Sequence, residues 1–353
     1  MTCGVELIKK LALAFGPSGC EEAVAALIRD ELADTAAILE SDRMGNLVAH
    51  LPGPVGAPRI LLSAHMDEVG FLITDIEEDG TLRFANLGGI DRRVLCGRFV
   101  SIGDEKKQIS GVIAGKSLHL QESDERTRVP EGKDLYIDIG TDSRAESERL
   151  VARGDFGTFS TPFVCFGKDG DSIKCKALDD RMGCAALIEV IRALEGKQLP
   201  LDLYFAFTVR EELGISGALP TANRIAPDVA IVLETTAIAD VADVAPARRV
   251  AEVGDGGVLS LIDRSTIYDR ALVDFALATG KAHNIPVQVK RYVSGGNDAG
   301  HIQRSGVGVR CLALSAATRY LHAPISVASL TDYAAIRDLV LAMLEDWKEG
   351  ETR

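Results

Sequence analysis

Long hydrophobic runs are missing from this 353-residue sequence. No apolar stretch approaches the ~20 residues a helix needs to cross a bilayer, so no membrane span is expected. Residues 1–10 carry no basic segment followed by an apolar core and a cleavage site, so no secretory leader is expected either. Clustered Lys and Arg are also lacking and the net charge is −13, which argues against a nucleic-acid partner. Cysteine is sparse: Cys3, Cys20, Cys96, Cys165, Cys175, Cys184 and Cys311 make seven, irregularly spaced and without a CxxC pair. An odd, scattered set argues against a thiolate zinc site. Settings such as Met182-Gly183-Cys184-Ala185-Ala186 suit free, buried thiols in a reducing cytoplasm. Internal repeats and low-complexity segments are absent as well.

What remains is ordinary globular material, 46% hydrophobic and 26% charged. The length suits two domains, or one large domain carrying an insertion. Residues 6–15 and 21–32 have apolar residues at helical spacing, broken by Gly16-Pro17-Ser18-Gly19. Residues 59–65 form an apolar run ending in polar residues, the pattern of a buried parallel strand. From about 71 to 164 the texture changes to short β-like pieces between glycine turns, with a helix expected only at 143–151. Strands and helices then alternate: helix at 181–194, strands at 201–209 and 229–233, helix at 265–283, strand at 307–314, helix at 330–347. The expected fold is α/β, a mostly parallel sheet with helices on both faces, with a small β-barrel-like domain inserted. Residues 1–70 and 165–353 would form the main domain and 71–164 the insertion.

Polar residues gather where the apolar strands end, and sites in open α/β sheets lie beyond the carboxyl ends of strands. Ser63-Ala64-His65-Met66-Asp67-Glu68 offers an imidazole at His65. Asp67, two residues on and on the same face, could orient that ring or a neighbouring ligand. Ala177-Leu178-Asp179-Asp180-Arg181 leads into a helix; either Asp could cap it, and either could bridge two cations. Arg210-Glu211-Glu212-Leu213-Gly214 places two glutamates after an apolar strand. One could ligate a metal while the other takes a proton from water. Glu234 ends another apolar run, and His322 follows the last predicted strand. Each cluster alone is also explained by a polar turn, a cap or a solvated loop. His50, His119 and His283 have no comparable setting, and His301 follows a glycine-rich loop at 295–300. Taken together, two histidines and three carboxylates suit two cations sharing one bridge, with one glutamate left over as a base. Nitrogen and oxygen donors without thiolate suit zinc, cobalt or manganese.

The ordered blocks Gly16-Pro17-Ser18-Gly19-Cys20-Glu21, Asp42-Arg43-Met44-Gly45-Asn46-Leu47, Ala64-His65-Met66-Asp67-Glu68-Val69-Gly70, Leu135-Tyr136-Ile137-Asp138-Ile139-Gly140, Asp179-Asp180-Arg181, Glu211-Glu212-Leu213-Gly214 and Arg319-Tyr320-Leu321-His322 cover nearly the whole chain. In them the sequence resembles the TET-type metallo-aminopeptidases, also labelled deblocking or glutamyl aminopeptidases and sometimes endoglucanase M. The resemblance implies a cytoplasmic enzyme that releases N-terminal residues from peptides through water activated by two divalent metal ions, zinc or cobalt first and manganese next. It implies that His65 and Glu234 hold one ion, Glu212 and His322 the other, and Asp179 both. Glu211 would be the general base and Asp67 the orienting carboxylate. The insertion would be a dimerisation domain, with dimers assembling into a tetrahedral dodecamer. The sequence departs from the family where Glu234 replaces a common Asp, and where Gly296-Asn297-Asp298-Ala299-Gly300 replaces Gly-Thr-Asp-Ala-Gly. Alternative chemistries are a glycoside hydrolase and an N-acyl amino acid hydrolase of the same superfamily.

Overall fold

Residues 59–65, 202–208, 229–237 and 310–319 are apolar on both sides of the chain rather than on alternate residues, so they can only be satisfied as strands covered on both faces. In the structure, a computed structural model describing residues 2–348, with side chains from residue 4, they do lie at the centre of one sheet. Asp202–Thr208, Arg59–His65, Val229–Ala237 and Arg310–Arg319 are neighbours in that order and parallel throughout. Leu47–Leu51 and Ile38–Ser41 extend one side as an antiparallel pair. Ser326–Ser329, Ser172–Cys175 and Val164–Phe166 extend the other, and two reversals leave Ser172–Cys175 pointing the same way as the central four. By the same reasoning Ile38–Ser41 also runs with them, so six chain segments deliver their carboxyl ends to one edge of the sheet.

Helix Leu178–Ala193 packs on Arg59–His65 and Val229–Ala237, flanked by Thr2–Leu13 and Leu330–Glu345. Ala218–Ile225 and Ala299–Ile302 cover the other face. The resulting apolar core runs from Leu7 to Trp347.

After His65 the chain leaves this sheet and rejoins it at Val164–Phe166. Between these points six antiparallel strands close into a barrel, from Gly70–Ile76 to Phe156–Phe159. The barrel has its own core, in which Phe71 meets Phe84 and Phe159 edge to face at centroid distances of 5.2 and 5.1 Å. The helix expected at 143–151 is one short turn, Arg144–Ser147. The helix expected at 265–283 starts only at Arg270, because Asp269 caps it by accepting from the Leu272 N–H.

No helix among the described residues is long and apolar enough to cross a membrane. The cysteines other than Cys3, whose side chain lies outside the described residues, are unpaired. Cys175, Cys184 and Cys311 are buried as expected, whereas Cys96 and Cys165 are exposed, the first in a barrel loop and the second on an edge strand.

Candidate metal centre

His65 is the last residue of its strand and is almost completely buried. Its Nδ1 lies 3.1 Å from the backbone oxygen of Asp67 and 3.4 Å from the Asp67 carboxylate, which turns Nε2 toward the pocket. Nε2 stands 3.3 Å from Asp179 Oδ1 and 3.6 Å from Glu234 Oε1. On the other side, His322 Nε2 stands 3.2 Å from Asp179 Oδ2 and 3.1 Å from Glu212 Oε2. Two triads thus share Asp179: His65 with Glu234, and His322 with Glu212, the donor atoms of each lying within 4.8 Å of one another.

Asp179 and Asp180 differ in what their backbone lets them reach. Neither residue is helical, with φ/ψ of −83/114 and −114/43 degrees, so their side chains diverge before the helix begins. Asp180 is the cap: its Oδ1 accepts from the Gly183 N–H at 2.9 Å. Asp179 is released from capping, and its buried Oδ1 accepts no well-formed hydrogen bond.

Asp67 connects the two halves of the site. One carboxylate oxygen accepts from the Glu211 N–H at 2.9 Å, the other from the Glu212 N–H at 3.1 Å and from the Ser18 hydroxyl. Ser18 was not singled out among the sequence candidates; its only signal was its place in the Gly16-Pro17-Ser18-Gly19 turn. Asn297, with Gly295 and Gly296, lines the same pocket as Glu211, Glu234 and His322, a space of about 550 Å³ including its mouth. His50 and His283 pair instead with Asp202 and Asp346, at 2.7 and 2.8 Å. Neither they, His119 nor His301 belongs to a metal-competent group among the described residues.

The electrostatics call for positive charge at this place. Burial pushes the carboxyls of Glu211 and Glu234 well above the usual range, and Asp179 and other neighbouring carboxylates push the same way against His65. Burial disfavours a charged His322, yet Asp179 and Glu212 overcome it and raise the imidazole to about 11. His65 is likewise raised, by Glu234, Asp179 and Asp67 against its burial. Dry carboxylates drawing protons onto both rings at once form a site short of cations. A donor set of imidazole nitrogen and carboxylate oxygen, with an orphaned buried oxygen at Asp179, fits divalent metal.

The parallel sheet, the inserted barrel and this donor cluster at the strand ends define a metallohydrolase. A model of the M42 glutamyl aminopeptidase family matches residues 45–339, and the chain belongs to that family. It is 31% identical to the lysyl aminopeptidase of Pyrococcus furiosus over 347 residues, 97% of each chain. A TET aminopeptidase from a marine sediment Thaumarchaeota archaeon superposes with a TM-score of 0.95 at 35% identity, covering 99% of this chain and 98% of that one. The TET1 peptidase of Pyrococcus horikoshii superposes with a TM-score of 0.86 at 36% identity, over 98% and 100%. The protein is therefore a metal-dependent aminopeptidase. Family membership selects peptide hydrolysis over the glycoside alternative, whose two-carboxylate chemistry has no use for paired imidazoles.

Proposed function

We propose that His65 and Glu234 hold one divalent cation and Glu212 and His322 a second, that Asp179 is shared between them, and that Glu211 is the general base. The observation that carries this reading is the position of Asp179, whose two oxygens face different imidazoles at 3.3 and 3.2 Å. A single-ion site would need only one such face. When bound, such a pair supplies Lewis acidity that polarises the scissile carbonyl and makes water easier to deprotonate. Zinc or cobalt is the first expectation for this donor set, manganese the next.

The chain's own residues do the rest. Glu211 takes a proton from the attacking water and returns it to the amine that leaves. Its N–H is held by Asp67, so its carboxylate stays over the pocket. Asp67 also fixes the tautomer and direction of His65. The Glu234 side chain reaches the cluster from within its strand, at 3.6 Å from the His65 ring nitrogen.

The test is Glu211→Gln with an aminoacyl p-nitroanilide. We expect turnover to fall by roughly 10²–10⁴-fold with metal content unchanged. Hydrolysis at the wild-type rate would remove Glu211 from the mechanism.

The barrel, at about residues 71–164, is proposed as the dimerisation domain, and dimers as the units of a tetrahedral dodecamer. The support is the TET1 peptidase of Pyrococcus horikoshii, described as assembling into a tetrahedron or a large octahedral shell. Peptides are the proposed substrates. The unpaired thiols among the described residues suit the reducing cytoplasm proposed as its location.

A further inference from the structure

The two donor groups rest on different kinds of support. His65 ends one central strand and Glu234 lies within another, so pairing in the sheet fixes both. Glu212 and His322 are carried by connections that leave the sheet. The His322 side chain is 33% exposed, against 2% for His65. Its turn, residues 320–325, joins the antiparallel strands Arg310–Arg319 and Ser326–Ser329. In that turn Tyr320 and His322 both take left-handed backbone, with φ of 60 and 56 degrees. A residue with a Cβ is crowded there, and the conformation persists only where the surroundings hold it.

Two hydroxyls hold it. Within the hairpin, Ser326 Oγ donates to the Tyr320 carbonyl at 3.3 Å. From outside, Thr161 Oγ1 donates to the Pro324 carbonyl at 2.6 Å. Proline has a fixed φ and restricts the residue before it, so anchoring Pro324 also anchors Ala323 and the end of the turn. Thr161 lies in the linker that leaves the barrel, and that linker is tied down on both sides. Ser160 N–H donates to the Phe99 carbonyl of the barrel at 2.9 Å, and Val164 pairs with Lys174 in the main sheet. The barrel comes against the same donor group at a second place, its Gly88-Gly89 turn. A Cβ on Gly88 would stand 3.4 Å from Glu212 Cβ, and one on Gly89 3.6 Å from His322 Nδ1. The inserted domain therefore backs both Glu212 and His322.

We infer that Thr161 is a positioning residue for His322. Its hydroxyl, offered from the barrel's exit linker, fixes the turn 320–325 and so sets how firmly the Glu212 and His322 side holds its cation. The inference rests on the pair of cations proposed above. Its rival is a purely structural Thr161, packed in the linker with no influence on the metal centre.

The experiment is a calorimetric titration of the chelator-stripped, full-length chain with cobalt chloride, which reads both binding steps. His322→Asn marks the step that belongs to its side. Thr161→Val removes the hydroxyl at nearly constant shape. It is expected to weaken that same step by about 10–100-fold and to leave the other at its wild-type value. Thr161→Ser keeps the donor and should restore wild-type affinity, a rescue that linker packing alone does not produce. Both steps unchanged in Thr161→Val, both weakened alike, or Thr161→Ser behaving as Thr161→Val would overturn the inference and leave the proposed pair of cations standing. A wild-type chain that takes up fewer than two cobalt ions would instead bring down that pair, and this inference with it. Should Thr161→Val fail to fold, Thr161→Ala set against Thr161→Ser makes the same comparison.

Discussion

Asp67 shows how much one buried carboxylate can organise. It accepts from the N–H groups of both Glu211 and Glu212, touches the His65 ring and receives the Ser18 hydroxyl. Burial opposes its ionisation, but these partners hold its pKa below the ordinary value, so it stays an acceptor. Asp67→Asn keeps the shape but replaces one acceptor with a donor that faces an N–H group. We expect metal affinity and kcat each to fall by about 10–100-fold, with secondary structure retained. Calorimetric metal titration alongside initial rates checks this; unchanged affinity would reduce Asp67 to a purely structural role. At this scale the sequence was a good guide to residue types and a poor guide to choices between neighbours. Asp179 and Asp180 are chemically the same, as are Glu211 and Glu212. Only a twist of backbone at 179–180 separates the first pair, and the second is separated by Glu212 reaching to 3.1 Å of the His322 ring while Glu211 joins neither triad.

At the scale of elements, the site depends on short connections leaving the sheet. The segment after Asp202–Thr208 carries both glutamates and then turns back toward helix Ala218–Ile225. Ser216 N–H donates to the Arg210 carbonyl at 3.0 Å and Gly217 N–H to the Val209 carbonyl at 3.1 Å, which closes that loop on itself. A Cβ at Gly217 would stand 2.3 Å from Asn46 Oδ1 and 2.5 Å from the Val209 carbonyl oxygen. The second of these is backbone and cannot step aside, so Gly217→Ala must shift the loop. We expect a loss of about 1–3 kcal/mol of stability together with weaker metal binding. Denaturant unfolding with and without chelator measures both; full metal affinity in the variant would show that the loop tolerates the shift. The strands themselves were legible because a run of apolar residues without alternation has few other solutions. The start of the helix at Arg270 was not, since the preceding residues are apolar enough to continue the helical pattern and only the Asp269 cap marks the boundary.

Across the whole molecule, one pH effect can be assigned away from the metal cluster. Asp332, at the start of helix Leu330–Glu345, accepts from the N–H groups of Gly254 and Gly256 at 2.9 and 2.7 Å. Burial outweighs these bonds and raises its pKa to about 7. A carboxyl raised in the folded state contributes stability that is complete below its unfolded pKa of about 3.9 and is lost as pH rises toward 7. Wild type should therefore lose about 2–4 kcal/mol from this group between pH 4 and pH 7. Asp332→Asn, which does not titrate, should lack that part of the slope. Urea midpoints across this range, taken with chelator present for both proteins, test it. Parallel slopes would place the Asp332 pKa in the ordinary range.

Composition and strand-end chemistry, taken from the sequence alone, determined the fold class, the inserted β-rich segment and the candidate donors, because hydrophobic period and residue type are local properties. The tertiary structure decided which oxygen faces which ring, and that Asp180 caps the helix while Asp179 stands in both donor groups. Such relations join residues far apart in the chain. They are set by how the sheet and its connections pack, and no local pattern encodes that geometry.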